Sequence, residues 1–199
     1  MRRDLGAFFF RYRDLLPIPL AIAMLARAKP RLVGWLAGLP LIILGEMIRI
    51  WALCHIGPTT RTREICADVL VTSGPYQYTR NPLYFANLLK ISGFISIAGD
   101  PWIALITLFF YGIEFLTVIS YEEHFLAEKF PEVFMHYAKT VPTFFPNGRK
   151  HSSESTTAAW SLRQAIFSER RTFVSTGLLL AMLGFRNPIW KIKDKGSDS

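Results

Sequence analysis

The sequence predicts an all-helical, polytopic membrane bundle of four to five membrane segments. Three observations carry that prediction. Hydrophobic residues make up 51% of the 199 residues and charged residues only 19%, with a mean hydropathy of +0.25. The apolar residues fall in long blocks, as spans require, where a soluble core of this size would scatter them. The charge is also segregated. Residues 1–31 hold seven Lys/Arg against two acids, and residues 147–199 nine against four. Residues 32–146 hold seven against nine. Basic ends around apolar blocks suit anionic lipid headgroups, and nucleic-acid-binding domains do not carry such apolar runs.

The first block, Leu15 to Ala28, is short for a span and contains Pro17 and Pro19, which fits a tilted or partly interfacial helix. The second, Leu32 to Ile56, is long enough to cross, with Glu46 and Arg49 three residues apart and hence on one helical face. The third and fourth, Leu83 to Ile97 and Trp102 to Ile119, are separated by Ala98-Gly99-Asp100-Pro101. Gly99 suits a helix end, Asp100 an N-cap and Pro101 a first helical position, so this is a tight hairpin. Its turn lacks Lys and Arg, which predicts an outer location and places the 54–82 connection and the segment after Ile119 in the cytoplasm.

The organisation expected is a membrane domain over 1–146, a Ser/Thr-rich linker over 147–157, and a last helix with a basic tail over 158–199. That helix, Ala158 to Phe185, has a charged first half and a short apolar second half; the tail Lys191–Lys195 favours the cytoplasm and weighs against a full crossing. Arg11, Arg13 and Asp14 interrupt any leader-like apolar segment, so no cleavable signal peptide is expected. Cys54 and Cys66 show neither metal-ligand spacing nor a disulfide framework and are expected to be free thiols.

Two segments carry chemistry. The first is Leu70-Val71-Thr72-Ser73-Gly74-Pro75-Tyr76-Gln77-Tyr78-Thr79-Arg80-Asn81-Pro82-Leu83-Tyr84. Gly74-Pro75 forces a turn and Pro82 starts a helix. Chemistry alone leaves a functional segment and an interfacial aromatic belt level. The second is Glu122-Glu123 with Leu126, Phe130, Tyr137, Val141-Pro142 and Pro146. Two carboxylates at the end of the fourth helix oppose its dipole. They fit either a solvated helix end or a cationic ligand. Within the spans, Lys90 and Glu114 lie at similar depth and are expected to pair. For Arg49 a structural role beside Glu46 and a role on a substrate carboxylate stand level.

Together with Arg49-Ile50-Trp51-Ala52 leading to Gly57, these stretches resemble the isoprenylcysteine carboxyl methyltransferase and phospholipid methyltransferase superfamily, in its order and spacing from about Gly45 to Pro146. The resemblance implies a cofactor, S-adenosylmethionine, held under the cytoplasmic connection by Tyr76, Arg80, Asn81, Tyr84, Glu122 and Glu123. Arg49 and Glu123 are the candidate catalytic residues, and methyl transfer itself needs no metal. The resemblance also implies a lipid-like or prenylated acceptor and a multi-pass membrane location, which in a bacterium would be the inner or plasma membrane. Carboxyl O-methylation is favoured over phospholipid N-methylation. Rival readings are a nicotinamide-dependent membrane reductase of related scaffold and a non-enzymatic membrane scaffold. Asn81 stands where the family has His, Ala86 and Pro131 where it has Gly, Phe134 for Tyr and Thr143 for a basic residue. Asn hydrogen-bonds but cannot titrate.

The chemistry of such a cofactor suits those residues. It bears a sulfonium, an ammonium and a carboxylate; Glu122, Glu123 and aromatic faces attract the cations, and Arg80 has the fork for the carboxylate. Alignment of nucleophile with methyl–sulfur bond is then catalysis by proximity and electrostatics.

Overall fold

The computed structural model describes residues 2–12, 15–57, 69–148 and 160–186. Cys66, the basic tail and most of the expected 147–157 linker lie outside them. Among these residues eight α-helices follow in order: α1 (Arg2–Tyr12), α2 (Pro17–Arg27), α3 (Leu32–Ile56), α4 (Pro82–Ala98), α5 (Pro101–Lys129), α6 (Pro131–Thr140), α7 (Leu162–Ser168) and α8 (Arg170–Arg186), with a 3₁₀ turn at Gly74–Gln77. No strand occurs among the described residues.

Among the described residues two helices, α3 and α5, are long and apolar enough to cross a membrane, and α2 and α4 are shorter apolar helices. Only 28% and 33% of the apolar windows of α3 and α5 are buried, so neither is a soluble core helix. Leu36, Ile43 and Met47 of α3 and Leu105, Phe109 and Leu116 of α5 face outward. Gly38, Gly45 and Ala52 of α3 and Thr107 and Glu114 of α5 face inward beside apolar residues such as Leu53 and Val118. An apolar outer face around close-packed glycines and a few buried polar groups suits a bundle whose solvent is lipid.

Helices α3 and α4 lie antiparallel and in close contact, because glycines face backbone across the seam. Gly45 stands against Ala86 and Lys90, and Gly38 against Gly93. A Cβ added at Gly93 would meet the Gly38 carbonyl oxygen and Ile42 Cγ1, each at 2.6 Å. Gly93→Ala is therefore expected to destabilise the protein by about 1–3 kcal/mol through overpacking. A thermal melt in detergent checks this, and an unchanged midpoint would mean that the seam yields freely.

The α4–α5 hairpin forms as its residues predict. Gly99 takes a left-handed conformation (φ 66°), Asp100 caps α5 by accepting from the Trp102 and Ile103 amides, and Pro101 occupies the first turn. Arg27 adds an ion pair to Asp100 at 3.2 Å.

Three expectations are corrected. The fourth helix does not stop at Ile119; α5 runs ten residues further, to Lys129. No Gly or Pro interrupts residues 113–130, and Glu122 to Lys129 is rich in helix formers, so the helix continues until Pro131. Glu122 and Glu123 thus lie about two turns inside α5, away from the negative end of its dipole. The single helix expected over 158–185 is two helices, α7 and α8, that turn at Glu169. Lys90 does not pair with Glu114 but with Glu46 on α3, since the glycine seam brings α3 and not α5 against this face of α4. Glu114 Oε2 is buried without a hydrogen-bond partner.

Helix α8 lies along α3. Thr176 donates to Glu46 Oε1 at 3.4 Å, Gly184 stands beside the Trp35 ring, and Arg186 Nε donates to the Ala28 carbonyl at 3.0 Å. Leu183 is fully buried with Met24, Ile42, Phe94 and Ile97.

Candidate cofactor site

The site begins at a turn that only glycine permits. Gly74 has φ 61°, and the His55 ring occupies the space a Cβ would need. Pro75 then starts the 3₁₀ turn, and His55 Nδ1 shares a 2.8 Å hydrogen bond with Ser73 Oγ. The turn is thereby fixed to the end of α3.

From there the chain is stitched to α5 and to the segment after α6. Arg80 Nε and Nη2 donate to Glu123 Oε1 and Oε2, each at 2.9 Å. Its Nη1 donates to the carbonyls of Ala138 at 2.8 Å and Val141 at 3.0 Å, and Nη2 also donates to Thr143 Oγ1. All five guanidinium N–H groups are thus accounted for. The fork that residue chemistry offers to a ligand carboxylate is closed on Glu123. Asn81 Nδ2 donates to Glu123 Oε1 at 2.8 Å and to the Thr143 carbonyl at 2.9 Å. The Arg80 amide donates to the Pro142 carbonyl, and the Tyr137 hydroxyl to the Tyr76 carbonyl at 2.6 Å. Asn81 therefore holds backbone and carboxylate together with its amide, a task that needs no titration.

Beside this staple, the Tyr84 hydroxyl donates to Glu122 Oε1 at 2.9 Å, and the Tyr84 ring packs edge-on against Phe115. Phe115 contacts Phe144, which contacts Phe85. Tyr76 is buried, and its hydroxyl has no hydrogen-bond partner. Burial first, then the charges of Tyr137 and Glu122, push this phenol well above its ordinary range, against the opposing charge of Arg49. Tyr76 is thus a neutral O–H donor with charged groups of α3 and α5 within electrostatic reach. Burial likewise raises the Tyr137 phenol, opposed by Arg80.

The two segments singled out in the sequence are therefore one structural unit. A profile of the phospholipid methyltransferase family matches residues 33–133, half of the chain. The chain belongs to that family. Three curated relatives share 33% identity with it. The cobalt-zinc-cadmium resistance protein CzcN of Cupriavidus metallidurans aligns over 126 residues, 63% of this chain and 54% of the relative. The nickel-cobalt-cadmium resistance protein NccN of Alcaligenes xylosoxydans xylosoxydans aligns over 115 residues, 58% and 51%. Protein-S-isoprenylcysteine O-methyltransferase B of Arabidopsis thaliana aligns over 113 residues, 55% and 57%. The chain thus spans about half the length of these curated relatives. No solved structure matches the chain significantly.

The phospholipid methyltransferase match covers α3, α4 and α5 and ends inside α6; the backbone acceptors of Arg80 after residue 137 and the whole of α7 and α8 lie beyond it. That C-terminal part supplies the partner of Arg49. Arg49 Nε donates to Glu169 Oε2 at 2.8 Å, Nη2 to Glu169 Oε1 at 3.3 Å, and Nη1 to Asn87 Oδ1 at 3.1 Å. Glu169 is fully buried at the α7–α8 turn. The expected Glu46–Arg49 association is thereby corrected: Glu46 pairs with Lys90 of α4, and Arg49 with Glu169 at the α7–α8 turn. Asn87 and Glu169 escaped sequence reasoning. A single Asn in an apolar block and a single acid among Arg163, Arg170 and Arg171 were the available signals.

Proposed function

We propose that the chain is an integral-membrane methyltransferase that moves a methyl group from S-adenosylmethionine to a lipid-like or isoprenylcysteine-type acceptor, most readily at a carboxyl oxygen. The observation that supports this best is the interlock of Gly74–Tyr84 with Glu122-Glu123, the two regions to which the family resemblance assigns the cofactor. The relative from Arabidopsis is named for isoprenylcysteine O-methylation, which agrees with the acceptor class.

The residues fit such a cofactor. Tyr76 offers a buried, unpartnered hydroxyl, Glu122 a carboxylate within electrostatic reach of it, and Tyr84, Phe115 and Phe144 a wall of rings. When bound, the cofactor supplies a methyl group activated by a positively charged sulfur. In our reading Glu122, with the faces of Tyr84 and Tyr76, holds the cationic end by charge and ring quadrupole. Arg80, Asn81 and Glu123 form the rigid side of the pocket, with Glu123 adding negative potential toward the reacting centre. Arg49 orients the acceptor from within α3; its fork is closed on Glu169, so the acceptor is met by the N–H groups of Nη1 and Nη2 that Asn87 and Glu169 do not use. The apolar outer faces of α3 and α5 admit the acceptor from the bilayer. We place the Gly99–Pro101 turn outside and Arg80 and Glu123 on the cytoplasmic side, with α2, α4 and α8 completing a four- to five-segment bundle around α3 and α5.

Calorimetry on the detergent-purified chain tests the cofactor. Heat of binding is expected for S-adenosylmethionine or its demethylated product. Binding of NADPH without either would instead favour a reductase, and response to none a scaffold.

A further inference from the structure

The α7–α8 turn presents two opposite faces. Its inner face is the Glu169 carboxylate, fully buried against Arg49. Its outer face is a cleft of about 410 Å³ lined by Trp160, Gln164, Phe167, Ser168, Arg170 and Arg171. Arg163 lies on the same short helix, and the turn's one acid, Glu169, points inward, so the outer face carries positive charge. Arg170 lies 4.4 Å from the centre of the Phe167 ring.

The level of this cleft in the bilayer follows from its neighbours. The Trp160 amide donates to the Cys54 carbonyl at 2.9 Å, which fixes the start of α7 to the last turn of α3, a helix long enough to cross. From the cleft, α8 runs back along α3 with Val174, Leu178, Met182 and Phe185 exposed at helical spacing as an apolar stripe. On α7, Leu162, Ile166 and Phe167 are exposed in turn. The arginines and Trp160 therefore sit where apolar, lipid-facing surface gives way to water, at headgroup depth.

We infer that this cleft holds the headgroup of one anionic phospholipid. Its phosphate is met by Arg170 and Arg171, with Gln164 as a hydrogen-bond donor, while its chains lie along the apolar stripe of α8. Charge complementarity selects the anionic headgroup, and the contiguous apolar stripe selects a lipid over a free phosphate.

Native mass spectrometry of the full chain in detergent, with phosphatidylglycerol or phosphatidylcholine added at equal concentration, tests this. One phosphatidylglycerol is expected to be retained in clear preference to phosphatidylcholine. R170Q/R171Q should lose that retention, by about fivefold in affinity for each arginine removed. Lys139→Gln, a basic residue on α6 outside the cleft, should not change it. Equal retention of both lipids, or phosphatidylglycerol retention unchanged in R170Q/R171Q, would overturn the assignment. So would displacement of the lipid by millimolar inorganic phosphate, which would mean that the cleft reads phosphate alone. If the double variant does not fold, Arg171→Gln carries the same test with the smaller loss.

Discussion

Arg49→Leu is expected to lower stability by about 3–5 kcal/mol, the range for removing one partner of a buried ion pair. Glu169 has no exposed side-chain surface, and Arg49 is its partner at 2.8 Å and 3.3 Å. The substitution leaves a carboxylate sealed between α3 and the α7–α8 turn. Either the carboxyl takes up a proton or the turn opens to water, and both weaken the packing of α8 on α3. The double variant Arg49→Leu/Glu169→Leu removes charge from both sides and should recover most of the loss, since an apolar pair of similar volume is often neutral in such a place. Thermal melts of the two single variants and the double variant form a cycle that isolates the pair. An additive cycle would mean that the two side chains act independently. Methyl transfer by the double variant then reports on Arg49 without the burden of a buried carboxylate that has lost its guanidinium, and is expected to be lost while cofactor affinity is kept.

Glu123→Gln should act differently, on a local unit. Arg80 and Glu123 retain 11% and 19% exposure, so water screens their pair more than it does Arg49–Glu169, and about 2–3 kcal/mol is the expected cost. Gln keeps the volume and one acceptor oxygen but loses the charge and half of the fork. The Gly74–Asn81 segment should loosen first, because its ties to α5 run through Glu123, and the same carboxylate orients the Arg80 guanidinium that holds Ala138, Val141 and Thr143. Hydrogen exchange at the Arg80 amide, which donates to the Pro142 carbonyl, should speed up while amides in the α3–α4 seam stay protected. Affinity for the demethylated cofactor should fall in parallel. Unchanged exchange together with unchanged affinity would show that the carboxylate is an ordinary helix side chain.

Local rules were legible wherever a side chain acts on its own backbone. Gly99, Asp100 and Pro101 announce the hairpin because capping and left-handed turns are written in consecutive residues. Gly74-Pro75 and Pro82 announce the 3₁₀ turn and the start of α4 in the same way. The relation between Arg80 and Glu123 was legible only as two segments sharing one purpose; that they bond to each other depends on how α4 and α5 diverge from the hairpin. The partners of intramembrane charges were not legible. Depth along a helix is readable at 1.5 Å per residue, but rotation around its axis is not. Lys90 and Glu114 match in depth, yet Gly45 and Gly93 turn the Lys90 face toward α3. Glu169 was hidden for another reason: the break between α7 and α8 carries neither Gly nor Pro, so a continuous helix was the natural reading.

The most direct test of the methyltransferase reading is label transfer. Membranes expressing the chain, supplied with S-adenosylmethionine labelled in its methyl group, are extracted into organic solvent and the lipid fraction is counted, with the Arg49→Leu/Glu169→Leu variant as control. Label is expected in the lipid extract that mild base releases as methanol, the mark of a methyl ester, and none with the control. Base-stable label would move the acceptor atom to nitrogen or sulfur. No label above the control, from a protein that is folded and binds the cofactor, would contradict the account.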